Sequence, residues 1–207
     1  MDDVAALPAP PAFGDPVPIE ASPPVLRFLA RRRSASAMTL RPPGPSPTEI
    51  DELLRLAARA PDHGKLFPWR FVILESATKR AFVAGLEEIA ARREDGVRLK
   101  ARLAKIATPP LTIAVVSRYL PGDIPEWEQR LSAGAVCALM IIAAGAMGYG
   151  ANWITDWYAY DPDANALLGL VEGEKVAGFV HMGTPSEPPL ERVRPDVGAL
   201  TDHWLPR

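Results

Sequence analysis

An uncharged run of 18 residues, Leu131 to Gly148, restricts the possible folds more than any other stretch of this sequence. Half of the run is alanine or glycine, so its backbone can approach another helix closely. Its length suits a membrane span, but its flanks lack the basic bias and the further hydrophobic segments expected of one. A helix that is apolar on every side must be covered on every side. The run therefore predicts a central helix, buried in the domain or packed against its copy in a second subunit.

The overall composition excludes several classes of protein. A chain of 207 residues can fold alone as one domain. With 23 basic and 25 acidic residues, the net charge of −2 offers no global field for nucleic acid or an anionic membrane. The single cysteine, Cys137, excludes an intrachain disulfide, and three histidines give no familiar zinc spacing, so we expect no metal. The N-terminus shows no export signal, and we expect a cytoplasmic protein.

Proline content and periodicity divide the chain into an arm and a folded domain. Residues 1–24 are proline-rich and hold little that could pack, so we expect a disordered or draped arm. Residues 25–207 form the predicted domain, which ends in an extended tail. The predicted order is helix, helix, strand, paired helices, strand, central helix, strand-like segment, short helix, strand and tail. The three clear strands are expected at Phe71–Leu74, Leu111–Val116 and Lys175–Gly183. Without strict strand–helix alternation, this order predicts an α+β fold of mixed α/β layers.

The first polar motif is RRRSAS, residues 31–36, at the end of the first predicted helix. Guanidinium groups and hydroxyls both donate to phosphate oxygens, so this motif suits a phosphate site. The alternative is a solvated basic terminus that complements the helix dipole.

The second motif is the stretch RAPDHGKLFPWR, Arg59 to Arg70. Its two prolines exclude regular structure, so we expect a shaped loop. The loop concentrates polar side chains in a connection between a helix and a strand, and such loops commonly carry function. The alternative is a solvated connection with a buried Trp69.

The third motif is GYGANWIT, residues 148–155. Its paired glycines do not form a dinucleotide fingerprint, because they follow a helix and a third glycine is missing. Gly148 is expected to end the central helix.

In this order and spacing, the three motifs resemble the nitroreductase family of FMN-dependent oxidoreductases. The pattern is most like that of small, single-domain NAD(P)H nitroreductases, which carry RRS-x-S and then RAPDH followed by PW. The agreement extends from about Val25 to Pro185. The resemblance implies a central mixed sheet flanked by helices, and a homodimer with FMN at the subunit interface.

The resemblance also implies which residues contact FMN. The segment with Arg32, Arg33, Ser34 and Ser36 would line the phosphate, ribityl and pyrimidine side, joined by Arg59. His63 and Lys65 would come from the other subunit, although His63 could instead brace its own loop. The remaining expected contacts are Trp153, Ile154 and Thr155 beside the ring, and Arg192 and Arg194 at the phosphate.

The implied activity is transfer of hydride from NADH or NADPH, through FMN, to a small organic acceptor such as a nitroaromatic or a quinone. A cation or donor near the reduced ring would stabilise its negative charge, and Arg33, Ser36 and Lys65 are candidates. Because the cofactor carries the chemistry, no catalytic residue is named. Two alternatives stand: a non-catalytic flavin-binding or storage protein, and a relative with another flavin reaction, such as dehalogenation or flavin fragmentation.

Overall fold

A computed structural model describes residues 7–62 and 64–206 of the chain. The helices are α1 Pro23–Arg31, α2 Pro47–Ala57, α3 Ser76–Ala91, α4 Gly96–Arg102, α5 Ala104–Ala107, α6 Glu126–Ala146 and α7 Pro162–Leu167. The strands are β1 Leu40–Arg41, β2 Trp69–Glu75, β3 Leu111–Arg118, β4 Gly150–Ile154 and β5 Glu174–Pro185. Short 3₁₀ turns lie at Ala37–Thr39, Trp157–Ala159 and Gly198–Leu200.

The sheet is built around β5, which pairs with β1, β3 and β4, while β2 pairs with β3. The predicted α+β class is confirmed, but the expectation of a mixed sheet is wrong, because every pairing in the described chain is antiparallel. The reason is visible at β2 and β3. Glu75, which ends β2, lies opposite Leu111, which begins β3, so the intervening helices return the chain to the same end of the sheet.

Two apolar cores cover the two faces of the sheet. One contains α2 and α6, with Met140 of α6 and Val180 of β5 fully buried. The other contains α3, α5 and α7, with Tyr158 packed edge-on against Phe179 of β5 at 5.0 Å between ring centroids. Neighbouring residues of β5 thus point to opposite cores, as the pleat of a strand requires.

The predicted central helix is α6, which begins five residues before the uncharged run, at Glu126. One side of α6 is buried, including Val136 and Met140, whereas Trp127 is 68% exposed and Leu131 is 54% exposed. By length and composition alone α6 could cross a membrane. In this chain it packs on α2 and on strands β3, β4 and β5.

The helical stretch between β2 and β3 is divided into three helices instead of the predicted pair. The turn before α4 brings the backbone very close, since a Cβ at Gly96 would lie 2.3 Å from the carbonyl oxygen of Ala90. Only glycine fits this approach without a shift of the chain.

Both ends of the described chain are extended and largely exposed. Residues 7–22 contain no helix or strand, and residues 1–6 of the predicted arm lie outside the described residues. A turn at Ala12–Asp15 presents Phe13, whose ring centroid lies 5.4 Å from the Lys65 ammonium. The tail after β5 has no strand in residues 186–206 and runs past the end of α1.

Candidate functional site

The first and third motifs lie side by side in the structure. The backbone N–H of Ala35 donates to the carbonyl of Ala151 at 3.1 Å, and the amide of Asn152 donates to the Ala35 carbonyl at 2.6 Å. Ala35 is 1% exposed, so these bonds fix a buried point of the RRRSAS segment against β4. The two motifs therefore form one continuous wall.

The arginine side of this wall opens onto a cavity of about 450 Å³. The last turn of α1 ends at Arg31, and Arg32 turns back so that its guanidinium donates to the Ser34 hydroxyl at 3.4 Å. The described lining contains no carboxylate, which leaves the cavity with a positive potential. The lining residues are Arg27, Phe28, Arg31, Arg32, Arg33, Ala35, Ile141, Gly145, Gly148, Tyr149, Gly150, Ala151, Pro185 and Pro189.

A second cavity of about 490 Å³ adjoins the first and shares Arg33 with it. Here the hydroxyls of Ser34, Ser36 and Thr39 face the tail residues 187–191. Ser36 also accepts a hydrogen bond from the Met38 N–H at 3.3 Å and so caps the short turn that follows. The segment thus presents guanidinium groups and hydroxyls along one short piece of backbone, which is the donor set that a phosphorylated polyol requires.

The C-terminal tail contacts this segment directly. Arg33 Nε donates to the Leu190 carbonyl at 2.8 Å, and Arg194 Nη2 donates to the Arg32 carbonyl at 3.2 Å. Glu191 lies between the two basic groups, 3.7 Å from Arg33 Nε and 2.9 Å from Arg194 Nη2. The structure therefore brings Arg194 to the predicted phosphate side, whereas the described Arg192 side chain makes no hydrogen bond there.

The pKa of Glu191 is lowered, chiefly by the hydrogen bond that its carboxylate accepts from the backbone N–H of Arg192. Arg194 and Arg33 lower it further through their charge. The ionised carboxylate is an internal counter-anion for a basic cluster that could otherwise hold a ligand phosphate.

The second motif is a shaped loop, as predicted, but its last two residues, Trp69 and Arg70, already belong to β2. Lys65 has φ 60° and Phe67 has φ 48°, left-handed conformations that cost residues with side chains roughly 1–3 kcal/mol each. The Asp62 carboxylate holds this shape by accepting from the Phe67 N–H at 2.8 Å. Strain of this kind is commonly kept where function needs it.

The same loop is anchored to α6. Trp69 Nε1 donates to the Ser132 hydroxyl at 3.2 Å, and that hydroxyl donates to the Pro61 carbonyl at 2.8 Å. Arg70 forms a two-pronged pair with Glu174, both oxygens at 2.7 Å, so its role is to brace β2 against β5.

The structure does not bring the loop's candidate residues to the first motif within one chain. Arg59 and Lys65 are exposed, and in the described ranges no hydrogen bond or ion pair joins either to residues 32–36. His63 lies outside the described residues. The predicted ligand contacts of Arg59, His63 and Lys65 stay predictions.

The three residues predicted beside the ring lie at the end of β4, with Trp153 and Ile154 in the strand and Thr155 directly after it. Trp153 Nε1 donates to the Ala177 carbonyl at 3.2 Å, and the indole occupies the space over Gly178, where a Cβ would lie 1.9 Å from Nε1. Ile154 is half-buried. The Thr155 hydroxyl accepts from the Tyr160 hydroxyl at 3.0 Å.

Sequence reasoning missed the residues that support the site. The sequence holds a signal for two of them. Asn152 is the only amide in its motif, and Glu191 adjoins the predicted basic pair. Tyr149 was also missed: its hydroxyl donates to the Glu49 carboxylate at 2.9 Å, and burial, aided by that bond, raises its pKa to about 12. This bond links the third motif to the start of α2.

Cys137 has no place in the site's chemistry. It lies inside the α6 core, and burial raises the pKa of its thiol to about 12, so the thiol stays protonated at neutral pH.

Comparison with known proteins finds a matching family and similar chains. The family model for the nitroreductase family matches residues 29–184. The chain is 36% identical over 162 residues to the Escherichia coli (strain K12) protein named "Putative NAD(P)H nitroreductase YdjA", covering 77% of this chain and 87% of that protein.

Solved structures share the fold. A nitroreductase-like family protein from Bacillus cereus superposes with a TM-score of 0.78 at 20% identity, covering 91% of this chain and 98% of the other. A nitroreductase with bound FMN from Bacteroides fragilis gives a TM-score of 0.68 at 19% identity, covering 88% of this chain and 100% of the other. With a matched family model over most of its length and a relative this similar, the chain belongs to the nitroreductase family.

Proposed function

We propose that this protein is an FMN-dependent oxidoreductase that takes hydride from NADH or NADPH and passes electrons to a small organic acceptor, such as a nitroaromatic or a quinone. The proposal includes a cytoplasmic location and a homodimer. It is supported by the name of the Escherichia coli relative and by the FMN bound in the Bacteroides fragilis structure.

The observation that carries the proposal is the pair of hydrogen bonds made by the Ala35 backbone, which ties the arginine and serine segment to β4. It sets guanidinium groups, hydroxyls and an apolar β4 wall next to one another. FMN has a phosphate, a polyol and a flat apolar ring in the same order. The residues present therefore fit this cofactor.

Each part of the site has a separate task in this proposal. Arg32 and Arg194 would hold the phosphate, and the Ser34 and Ser36 hydroxyls would bind the ribityl and pyrimidine side. When bound, FMN supplies the capacity to accept and donate hydride. Arg33 and Ser36 would stabilise negative charge near the pyrimidine, and Lys65 would do so from the second subunit.

We propose a dimer because the candidate site is incomplete within one chain. The strained loop with Lys65 does not reach residues 32–36 in its own chain, and α6 leaves Trp127 and Leu131 exposed. A second copy packed on this face would cover these apolar side chains and could deliver the loop. Such cover is what an apolar helix surface requires.

The test is anaerobic mixing of the FMN-loaded protein with NADPH or NADH while the flavin absorbance is followed. We expect rapid bleaching, and reoxidation when menadione or nitrofurazone is added. A protein that holds FMN but is not bleached by either donor is a flavin-binding or storage protein, and the proposed activity would be wrong. Product analysis separates reduction of the acceptor from dehalogenation or flavin fragmentation.

A further inference from the structure

On the sheet face opposite α6, α3 buries a lysine without a partner. Lys79 is 6% exposed, and within the described chain no hydrogen bond or ion pair reaches its ammonium. The ammonium nitrogen keeps some contact with solvent, while the rest of the side chain is buried. A largely buried ammonium usually has an anionic partner or loses its proton. Burial lowers the pKa of Lys79 to about 8. The lysine is still largely charged at neutral pH and lacks a counter-ion.

The neighbouring sheet does not supply this counter-ion. His181 of β5, whose pKa responds to the charge of Lys79, is fully buried and has its Nδ1 2.8 Å from the Thr112 hydroxyl. Burial, and then the charge of Lys79, lower the pKa of His181 to about 3, so its ring is neutral. His181 Nε2 has no partner in the described chain. The polar groups at this position therefore leave the positive charge uncompensated.

Lys79 lines a cavity of about 160 Å³ between α3 and the end of α5. Its walls combine two cationic side chains, one exposed carboxylate at the rim and three small apolar groups: Lys79, Arg80, Glu87, Val83, Ala84 and Ala107. The volume corresponds to about five water molecules at roughly 30 Å³ each. The charges of the lining sum to a single positive charge, which matches a monoanion.

We propose that this cavity is a binding site for a small aliphatic monocarboxylate. The carboxylate pairs with the Lys79 ammonium and the Arg80 guanidinium, and the short alkyl chain lies against Val83, Ala84 and Ala107. A dianion such as phosphate would be under-compensated, and its oxygens would face apolar walls without donors. The site lies across the sheet from α6 and is independent of the proposed flavin activity.

Thermal unfolding in sodium propionate, compared with sodium chloride at equal ionic strength, tests the site on the full chain. A ligand present at about ten times its Kd is expected to raise the unfolding midpoint by about 3–6 °C in a protein of this size. The rise should saturate with propionate and be absent with chloride. An equal rise in both salts, or none in propionate, would overturn the proposal.

Two test variants and one control variant assign the effect to the cavity. Lys79→Met should remove the propionate-dependent rise, whereas Lys100→Met, at an exposed position of α4, should keep it. Ala84→Leu narrows the cavity from an exposed helical position and leaves Lys79 in place, so it too should remove the rise even if Lys79→Met does not fold. A full propionate response in Ala84→Leu would contradict the site.

Discussion

The side-chain amide of Asn152 donates to the backbone carbonyl of Ala35 at 2.6 Å, and so joins two sequence motifs 117 residues apart. Ala35 is buried, so its carbonyl has no access to water as a substitute partner. The contact fixes the arginine and serine segment against β4. Both motifs line the first cavity, and the arginine and serine segment also lines the second.

Asn152→Ala should therefore destabilise both the fold and the site. Leaving the buried Ala35 carbonyl unsatisfied is expected to cost about 1–3 kcal/mol. Urea unfolding of the flavin-free protein measures this loss, and FMN titration should show weaker binding. Asn165→Ala is the matched control, because the Asn165 side-chain oxygen has no partner in the described chain. Equal unfolding free energies for the two variants would show that the contact does not hold the motif.

Arg32→Ala should weaken FMN retention without unfolding the chain. The loss of a charge-assisted phosphate contact, about 1.5–3 kcal/mol, corresponds to a Kd that is about 10- to 150-fold higher. Arg98→Ala removes an exposed arginine that pairs with Asp95, and it should leave the FMN affinity unchanged. If purified Arg32→Ala holds FMN as tightly as the parent protein, the phosphate assignment is wrong.

Gly178→Ala should displace the Trp153 indole, because the new Cβ would lie 1.9 Å from Trp153 Nε1. The variant should lose the bond from Trp153 to the Ala177 carbonyl, and we expect altered tryptophan fluorescence together with weaker FMN binding. Gly122→Ala is the control, since nothing lies within 4 Å of its added Cβ. Unchanged FMN affinity in Gly178→Ala would exclude Trp153 from the flavin site.

The Arg70–Glu174 pair should give the protein part of its resistance to acid. The hydrogen bond from Arg70 is the main cause of the lowered pKa of Glu174. Because the folded-state pKa lies below the unfolded value of about 4.3, this stabilisation is complete above that pH and is lost as the pH falls through the folded-state pKa.

Glu174→Gln should lower the unfolding free energy at pH 7 by about 1–3 kcal/mol and flatten its decline below about pH 4.5. This expected loss of unfolding free energy is smaller than for a fully buried ion pair, because the Arg70 side chain is 30% exposed. Glu126→Gln, in an exposed pair with Arg130, should change stability by less than about 0.5 kcal/mol. An unaltered acid slope in Glu174→Gln would show that another carboxylate controls it.

Periodicity was sufficient to predict most of the core. The uncharged Ala-rich run corresponds to α6, and the run Leu111–Val116 lies within β3. Most buried residues of β3 are apolar because both faces are covered, and Thr112 and Ser117 are its buried polar residues. β1 could not be predicted, since its two residues are a strand only by pairing with the end of β5. The antiparallel pairing of β2 and β3 could not be predicted either, because it depends on which end of the sheet the connection through α3, α4 and α5 reaches.

The place of the candidate site was predictable where neighbouring residues carry its chemistry, as in residues 32–36, which line the two cavities. Their contacts with FMN stay predictions. Contacts across long stretches of chain were not predictable from these local patterns. The bond from Arg33 to the Leu190 carbonyl spans 157 residues and uses a backbone group that every residue has. The loop around Lys65 was recognised from its prolines, but its left-handed residues are set by Asp62 and by the anchor to α6.

The most direct test of the central claim, that these motifs together hold FMN, is a titration of the flavin-stripped protein with FMN and with riboflavin, followed by quenching of flavin fluorescence. We predict saturable binding of one FMN per chain, and riboflavin, which lacks the phosphate, binding at least about tenfold more weakly. Equal affinity for the two flavins, or no quenching by FMN, would contradict the account.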